Sequence, residues 1–132
     1  MVVARVSGMV LRIAGILALI LGILFWIDVI PGADSFQNPW TSVHMTLGII
    51  VTICLVILAM LMITTKGGNA GLGIGAIVLA ILVIVLGLTQ TRLLIADSVH
   101  WIIQVVHLLF GLAAIGLGEM MGARYRRLAK AS

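Results

Sequence analysis

Three histidines lie within or beside long apolar stretches of the chain, where polar side chains are rare. His44 opens the second of four such stretches, and His100 and His107 lie in the opening turns of the fourth. An imidazole in hydrocarbon costs free energy unless its nitrogens find partners. Because neutral imidazole is also the commonest metal ligand in proteins, the pattern predicts a bound metal ion or haem.

A glycine follows two of these histidines at the same interval. Gly48 is four residues after His44, and Gly111 is four residues after His107, so each glycine lies one helical turn away on the same face. A porphyrin held by an imidazole needs a small residue there, because a larger side chain would strike the ring. We therefore predict a b-type haem whose iron is held by His44 and His107 on facing helices.

His100 leaves a second ligand pair open. It lies seven residues before His107, two turns away on nearly the same face, and the segments 42–44 and 98–100 both read Ser-Val-His. In this alternative, His100 replaces His107 as the partner of His44. If His100 is not an axial ligand, three roles remain: a hydrogen bond to a haem propionate, a ligand of a second haem, or a hydrated interfacial side chain.

Other polar residues near the same end of the spans are candidates for haem or quinone contacts. Arg92 is predicted to meet a propionate, since a guanidinium pairs two carboxylate oxygens at once. Gln90 and Gln104 are further candidates for propionates. The two glutamines and His100 are also compatible with a pocket for a quinone or another redox partner.

Composition places the chain in a bilayer as one domain, residues 1–132. It is 63% hydrophobic and 9% charged, with mean hydropathy +1.33, whereas about a quarter of the residues of soluble domains are charged. The apolar stretches 8–30, 43–65, 70–91 and 99–121 each reach the ~20 residues that cross a bilayer as a helix. The polar alternation of a membrane β-barrel is absent. We predict an all-α, four-helix transmembrane bundle in the cell membrane, with the first stretch retained as a true span.

Charge asymmetry predicts the orientation of the bundle. The side with both termini and the loop near Gly67 carries most basic residues, and the opposite side carries three aspartates and Arg92. By the positive-inside rule, both termini are predicted to be cytoplasmic. The basic tail 124–130 is then expected to contact anionic lipid headgroups, and a nucleic-acid partner is not predicted.

The cysteine and the glutamate within the spans are predicted to have structural roles. Cys54 is the only cysteine, which excludes an intrachain disulfide or a cysteine-based metal site, and we predict a small buried apolar residue. Glu119 lies close to the basic side, so we expect an interfacial ion pair and not a proton relay.

Glycines recur every seven residues along the first span, at Gly8, Gly15 and Gly22. Small residues allow membrane helices to approach closely, and the main expectation is helix packing. The stripe on the first span is also compatible with a homo-oligomer in which it faces a second copy.

The chain resembles, in outline, one four-helix half of the haem A synthase family, most specifically in residues 87–127 and 44–48. The likeness rests on a third span ending in Gly-Leu-Thr, the Val-His-Leu-Leu segment around His107, and His-Met-Thr-Leu-Gly at residues 44–48. Members of that family commonly have twice as many spans and an acidic residue where this chain has Thr41. The segment 31–42 also lacks the cysteine pair often found in the family's first outer loop. The resemblance implies haem binding in a four-helix unit more than it implies methyl-hydroxylating chemistry.

Three functions from different classes follow from these patterns. The first is a small b-type cytochrome that transfers electrons. The second is an enzyme that modifies haem, with His100 acting at the open side of the bundle. The third is a haem-free transporter, assembly factor or structural subunit whose histidines are interfacial.

Overall fold

The computed structural model describes residues 2–30, 38–89 and 97–131, and these form four helices joined in chain order. They are α1 (Val2–Trp26), α2 (Pro39–Thr64), α3 (Ala70–Thr89) and α4 (Asp97–Ala131). All four are long and apolar enough to cross a membrane. The predicted all-helical class is therefore confirmed, as is the prediction of four helices long and apolar enough to span a membrane.

Two helices extend well beyond the predicted apolar stretches. Helix α1 begins at Val2, not at Gly8, and α4 continues to Ala131, past Met121. Both extensions contain arginine or lysine, which are good helix formers. Hydropathy marks where polar residues begin, but it does not mark where the backbone stops being helical.

Capping residues mark the starts of α2 and α3, and a glycine marks the turn between these helices. The side chain of Asn38 accepts a hydrogen bond from the backbone of Trp40, and Pro39 occupies the first turn of α2, where a missing N–H costs little. Asn69 does the same for α3 by accepting from the backbone of Leu72. Gly67 turns the chain between α2 and α3 with φ of 79°, a conformation that favours glycine.

Consecutive helices run antiparallel, so α2 and α4 are parallel to each other. These two helices touch across the bundle, whereas α1 and α3 make no contact within the described residues. We call the end that holds Val2, Ala131 and the α2–α3 turn the basic end. The opposite end, where α1 stops and α2 and α4 begin, is the histidine end.

The tightly packed core lies in the half of the bundle nearer the basic end. The largest fully buried side chains all belong to that half: Leu11, Thr52, Leu55, Leu58, Met62 and Met121. In the other half, no residue of the described segments 16–30, 39–50, 84–89 and 100–113 is buried. Cys54 is buried in the core as a free thiol, in line with the predicted apolar role.

Large apolar side chains cover the outside of the bundle. Isoleucines such as Ile13, Ile20 and Ile81 are exposed along its length. Three tryptophans, Trp26, Trp40 and Trp101, are exposed at the histidine end. An apolar exterior with aromatic residues at one end suits contact with a lipid bilayer.

Glycines allow the close helix contacts inside the bundle. A Cβ added at Gly118 would lie 2.6 Å from Leu11, and one at Gly15 would lie 2.7 Å from Ile115. Gly15 and Gly22 thus face neighbouring helices of the same chain. These two positions pack within the bundle, and the homo-oligomer compatible with the stripe stays a prediction.

Glu119 forms the expected ion pair, and its partner is Arg12 on α1. The guanidinium donates from Nε to Oε1 at 2.7 Å and from Nη2 to Oε2 at 2.6 Å. This two-bond geometry fixes both side chains and ties α1 to α4 near the basic end.

Packing at Gly118 gives a first testable prediction. Gly118→Leu would force the new side chain into Leu11 and should lower the free energy of unfolding by about 1–3 kcal/mol or more. Gly116→Leu is the matched control on the same helix, because a Cβ there meets nothing within 4 Å. Thermal unfolding followed by circular dichroism in detergent measures both. Equal stability of the two variants would contradict the described α1–α4 contact.

Candidate metal centre

The structure brings the imidazoles of His44 and His107 together near the histidine end. His44 is the sixth residue of α2, and His107 is the eleventh residue of α4. The two helices are parallel and bring the two rings into contact at one level of the bundle. The ring centroids are 6.3 Å apart and the ring planes are inclined by 58°. Of the predicted ligand pairs, this is the one the sequence analysis preferred.

The separation suits two imidazoles on opposite sides of one metal ion. Metal–imidazole bonds of about 2 Å on both sides would put the ring centroids roughly 6 Å apart. An ordinary aromatic contact has a similar centroid distance, so the distance alone does not distinguish the two cases. The partners of the ring nitrogens are the more informative observation.

Each imidazole has a buried nitrogen that lacks a partner. Nδ1 of His44 and Nδ1 of His107 are buried and form no hydrogen bond with any described residue. The backbone carbonyl of Ala18 lies close enough to interact with the His44 imidazole. A histidine that gives one N–H to a backbone carbonyl keeps the lone pair of its other nitrogen, which is the usual arrangement in metal-bound histidines.

The two histidines occupy equivalent positions in two helical hairpins. A Cβ added at Gly22 of α1 would lie 3.4 Å from Cε1 of His44, and one at Gly87 of α3 would lie 3.4 Å from Cε1 of His107. Each ring therefore lies over a glycine of the preceding helix. Phe25 adds an edge-on contact to His44, with ring centroids 5.6 Å apart.

Sequence reasoning missed the contacts of Gly22 and Gly87 with the histidines. Gly22 was assigned to a packing stripe, and Gly87 only marked the end of the third span. Periodicity reports the faces of a single helix, but these contacts depend on the register between two antiparallel helices. The sequence offers one weak signal for these contacts: Gly22 precedes His44 by 22 residues, and Gly87 precedes His107 by 20 residues.

Gly48 and Gly111 face open space. A Cβ at either position would meet nothing within 4 Å. No packing contact with the described protein atoms explains why these positions lack a side chain. Space for the edge of a planar ring, the reason predicted from the sequence, is compatible with this.

The half of the bundle around the two histidines is also the half without buried side chains. His44 and His107 as whole residues are only half-buried, although their Nδ1 atoms are buried. The residues next to them in sequence are half-buried or exposed. The residues around the paired imidazoles are therefore more exposed than those of the core half.

The donor set favours haem over a bare metal ion. In the described part of the chain, no cluster of three or more His, Cys, Asp or Glu side chains is arranged to hold a metal. A structural zinc site needs about four protein ligands, whereas haem iron already has the porphyrin nitrogens and takes axial ligands from the protein. Two imidazoles without further ligands fit the haem requirement.

The remaining predicted site residues lie nearer the surface or outside the described residues. His100 is half-buried on α4, two turns closer to the histidine end than His107, and Gln104 lies between them. Arg92 and Gln90 fall outside the described residues, so their predicted contacts with propionates stay predictions.

Comparison of the chain with models of protein families, with curated proteins and with solved structures gave no match. The resemblance of residues 87–127 to the haem A synthase family therefore remains an interpretation of short motifs.

The glycine contacts predict selective effects on the two rings. Gly22→Leu should displace the imidazole of His44 and Gly87→Leu that of His107, because each new side chain enters the space next to one ring. Nitrogen-15 NMR of histidine-labelled protein in detergent measures this, with His44→Ala and His107→Ala assigning the signals.

Gly75→Leu provides the control for these two variants, because a Cβ there meets nothing within 4 Å. It should leave both imidazole signals in place. Identical spectra for wild type and Gly22→Leu would contradict the described contact.

Proposed function

We propose that this chain is an integral membrane cytochrome that binds one b-type haem between His44 and His107 and transfers electrons. The observation that carries the proposal is the pair of facing imidazoles whose buried Nδ1 atoms have no partner. Leaving one buried polar nitrogen unpaired costs about 1–3 kcal/mol, and two lie side by side here. A shared ligand removes both costs.

The chain's own residues would hold and shield the cofactor. His44 and His107 supply the axial nitrogens, and the carbonyl of Ala18 fixes the ring orientation of His44. Gly48 and Gly111 leave space for the ring, and Phe25 covers one side of His44. When bound, haem iron supplies one-electron redox chemistry by alternating between its ferric and ferrous states.

The surroundings of the imidazole pair suit electron transfer more than bond-making chemistry. Among the described residues, the carboxylate of Glu119 is paired with Arg12 near the opposite end of the bundle. Both imidazoles would hold the haem, so neither would be left to take part in bond-making chemistry. The apolar walls and the two neutral ligands then set the reduction potential.

The position of the histidine pair implies an electron partner at one membrane face. His44 and His107 lie near the ends of their helices, and His100 lies between the pair and that face. We propose that the haem exchanges electrons with a redox partner there, or with a quinone that reaches the site from the bilayer.

Haem binding is tested by spectra of purified protein from haem-supplied cells. The wild type should show a Soret band and a low-spin reduced-minus-oxidised spectrum, and His44→Ala and His107→Ala should each abolish the low-spin signal, since each removes an axial ligand. His100→Ala should keep the signal with a shifted potential. Gly48→Leu should fold normally and yet bind less haem, because the new side chain occupies space that is open in the protein.

Other results would identify the other functions. Colourless wild-type protein would contradict haem binding and favour a haem-free membrane subunit. A porphyrin extracted from the protein that differs chemically from haem b would favour a haem-modifying enzyme. A normal low-spin spectrum in His107→Ala would transfer the ligand role to His100.

The basic end is proposed to be cytoplasmic, in the cell membrane. Arginine and lysine side chains concentrate there, and the positive-inside rule places them in the cytoplasm. A cysteine introduced by Ser132→Cys should react with a membrane-impermeant maleimide only after cells are opened, in a Cys54→Ala background. A cysteine from Ser35→Cys should react in intact cells. The reverse labelling pattern would show the opposite orientation.

A further inference from the structure

A charged cleft lies between α1 and α4 at the basic end, remote from the histidine pair. Its volume is about 350 Å³, and it is lined by three arginines, one glutamate, three glycines and one methionine. Pockets for small ligands have volumes of about 300–1,000 Å³. We call it the arginine cleft, after Arg5, Arg12 and Arg126.

Antiparallel pairing of α1 and α4 arranges these residues in three levels. Arg12 and Glu119 form the innermost level through their two hydrogen bonds. One turn nearer the basic end, Gly8 lies opposite Gly122 in the middle of the cleft. Arg5 and Arg126 lie one further turn out and flank its mouth.

Two glycines make the middle level hollow. A Cβ at Gly8 would meet nothing within 4 Å, so this part of the cleft is open. A Cβ at Gly122 would lie 3.4 Å from Nη1 of Arg126, which shows that this guanidinium folds back over Gly122. Positive charge is therefore held beside an open space.

The cleft has more positive than negative charge. Glu119 is its single carboxylate, and both of its oxygens accept from Arg12. The other acidic residues of the chain are Asp28, Asp34 and Asp97, which belong to the segments near the histidine end. Arg126 lies close enough to Glu119 to interact with its charge, so three guanidinium groups share one carboxylate in the cleft. Arg12 keeps N–H donors beyond the two that Glu119 uses.

We propose that the arginine cleft binds one phosphate group, carried either by an anionic lipid headgroup or by free inorganic phosphate. Guanidinium groups bind phosphate oxygens through paired, charge-assisted hydrogen bonds. Basic pockets between membrane helices at the cytoplasmic side are suited to lipid headgroups. In this site Arg5 and Arg126 bind the phosphate, Glu119 positions Arg12, and Gly8 leaves the space that the phosphate fills.

The two sources of phosphate are distinguished with purified full-length protein in a neutral detergent. Dioleoyl phosphatidylglycerol, dioleoyl phosphatidylcholine and inorganic phosphate are titrated separately, with native mass spectrometry for lipids and thermal stabilisation for phosphate. Saturable retention of one phosphatidylglycerol, at concentrations that retain no phosphatidylcholine, supports the lipid source. Stabilisation by millimolar inorganic phosphate that also displaces phosphatidylglycerol supports the free anion.

Variants assign the binding to the cleft. The double variant Arg5→Gln/Arg126→Gln should weaken binding of the ligand by about tenfold or more, because two charge-assisted contacts are lost. Gly8→Leu keeps every charge and should weaken binding by blocking the open space. Arg124→Gln/Arg127→Gln is the matched charge control, since neither arginine lines the cleft, and it should bind as the wild type does.

Three results would overturn the proposal. They are the absence of selective binding of phosphatidylglycerol or phosphate, wild-type binding by Gly8→Leu, and equal weakening by Arg124→Gln/Arg127→Gln and Arg5→Gln/Arg126→Gln. Circular dichroism confirms that each variant is folded before it is compared. The test is independent of haem, because the cleft and the histidine pair lie in opposite halves of the bundle.

Discussion

The absence of hydrogen-bond partners in lipid is the constraint on which the rest of the structure depends. It makes the backbone helical in each of the four spans, because only a helix satisfies its own N–H and C=O groups in one segment. The same constraint applies to side chains. Glu119 satisfies it with Arg12, while Nδ1 of His44 and Nδ1 of His107, in two neighbouring rings, stay unpaired. An unmet requirement at two adjacent imidazoles is the strongest indication that this bundle holds something besides protein.

The two halves of the bundle differ in how their residues are buried. Near the basic end, glycines such as Gly15 and Gly118 bring α1 against its neighbours, and large side chains such as Leu11 and Leu55 are fully buried. Near the histidine end, the glycines at 48 and 111 face open space and no described residue is buried at that level. Dense packing in one half can keep the four helices in register without any ligand. The half nearer the histidine end is more exposed, and there the parallel helices α2 and α4 bring the imidazoles of His44 and His107 together.

The sequence predicted much of this because hydrophobicity and charge report directly on the bilayer. Four helices, the parallel course of α2 and α4, and the approach of His44 to His107 all follow from counting spans and their directions. The helix ends at Val2 and Ala131 did not follow, since helices continue through arginine and lysine beyond the apolar stretch. The contacts of Gly22 and Gly87 with the imidazoles, and the choice of Arg12 as the partner of Glu119, depend on the register between helices. Register is set by interlocking side chains from two segments, and no pattern within one segment contains it.

Electron paramagnetic resonance of the oxidised protein, loaded with haem b and labelled with nitrogen-15 at histidine, tests the central claim most directly. The account predicts one haem per chain and a low-spin ferric signal coupled to the nitrogens of two histidines, with the coupling lost when either His44 or His107 is replaced. A high-spin signal, coupling to a single histidine, or coupling that survives both replacements would contradict it.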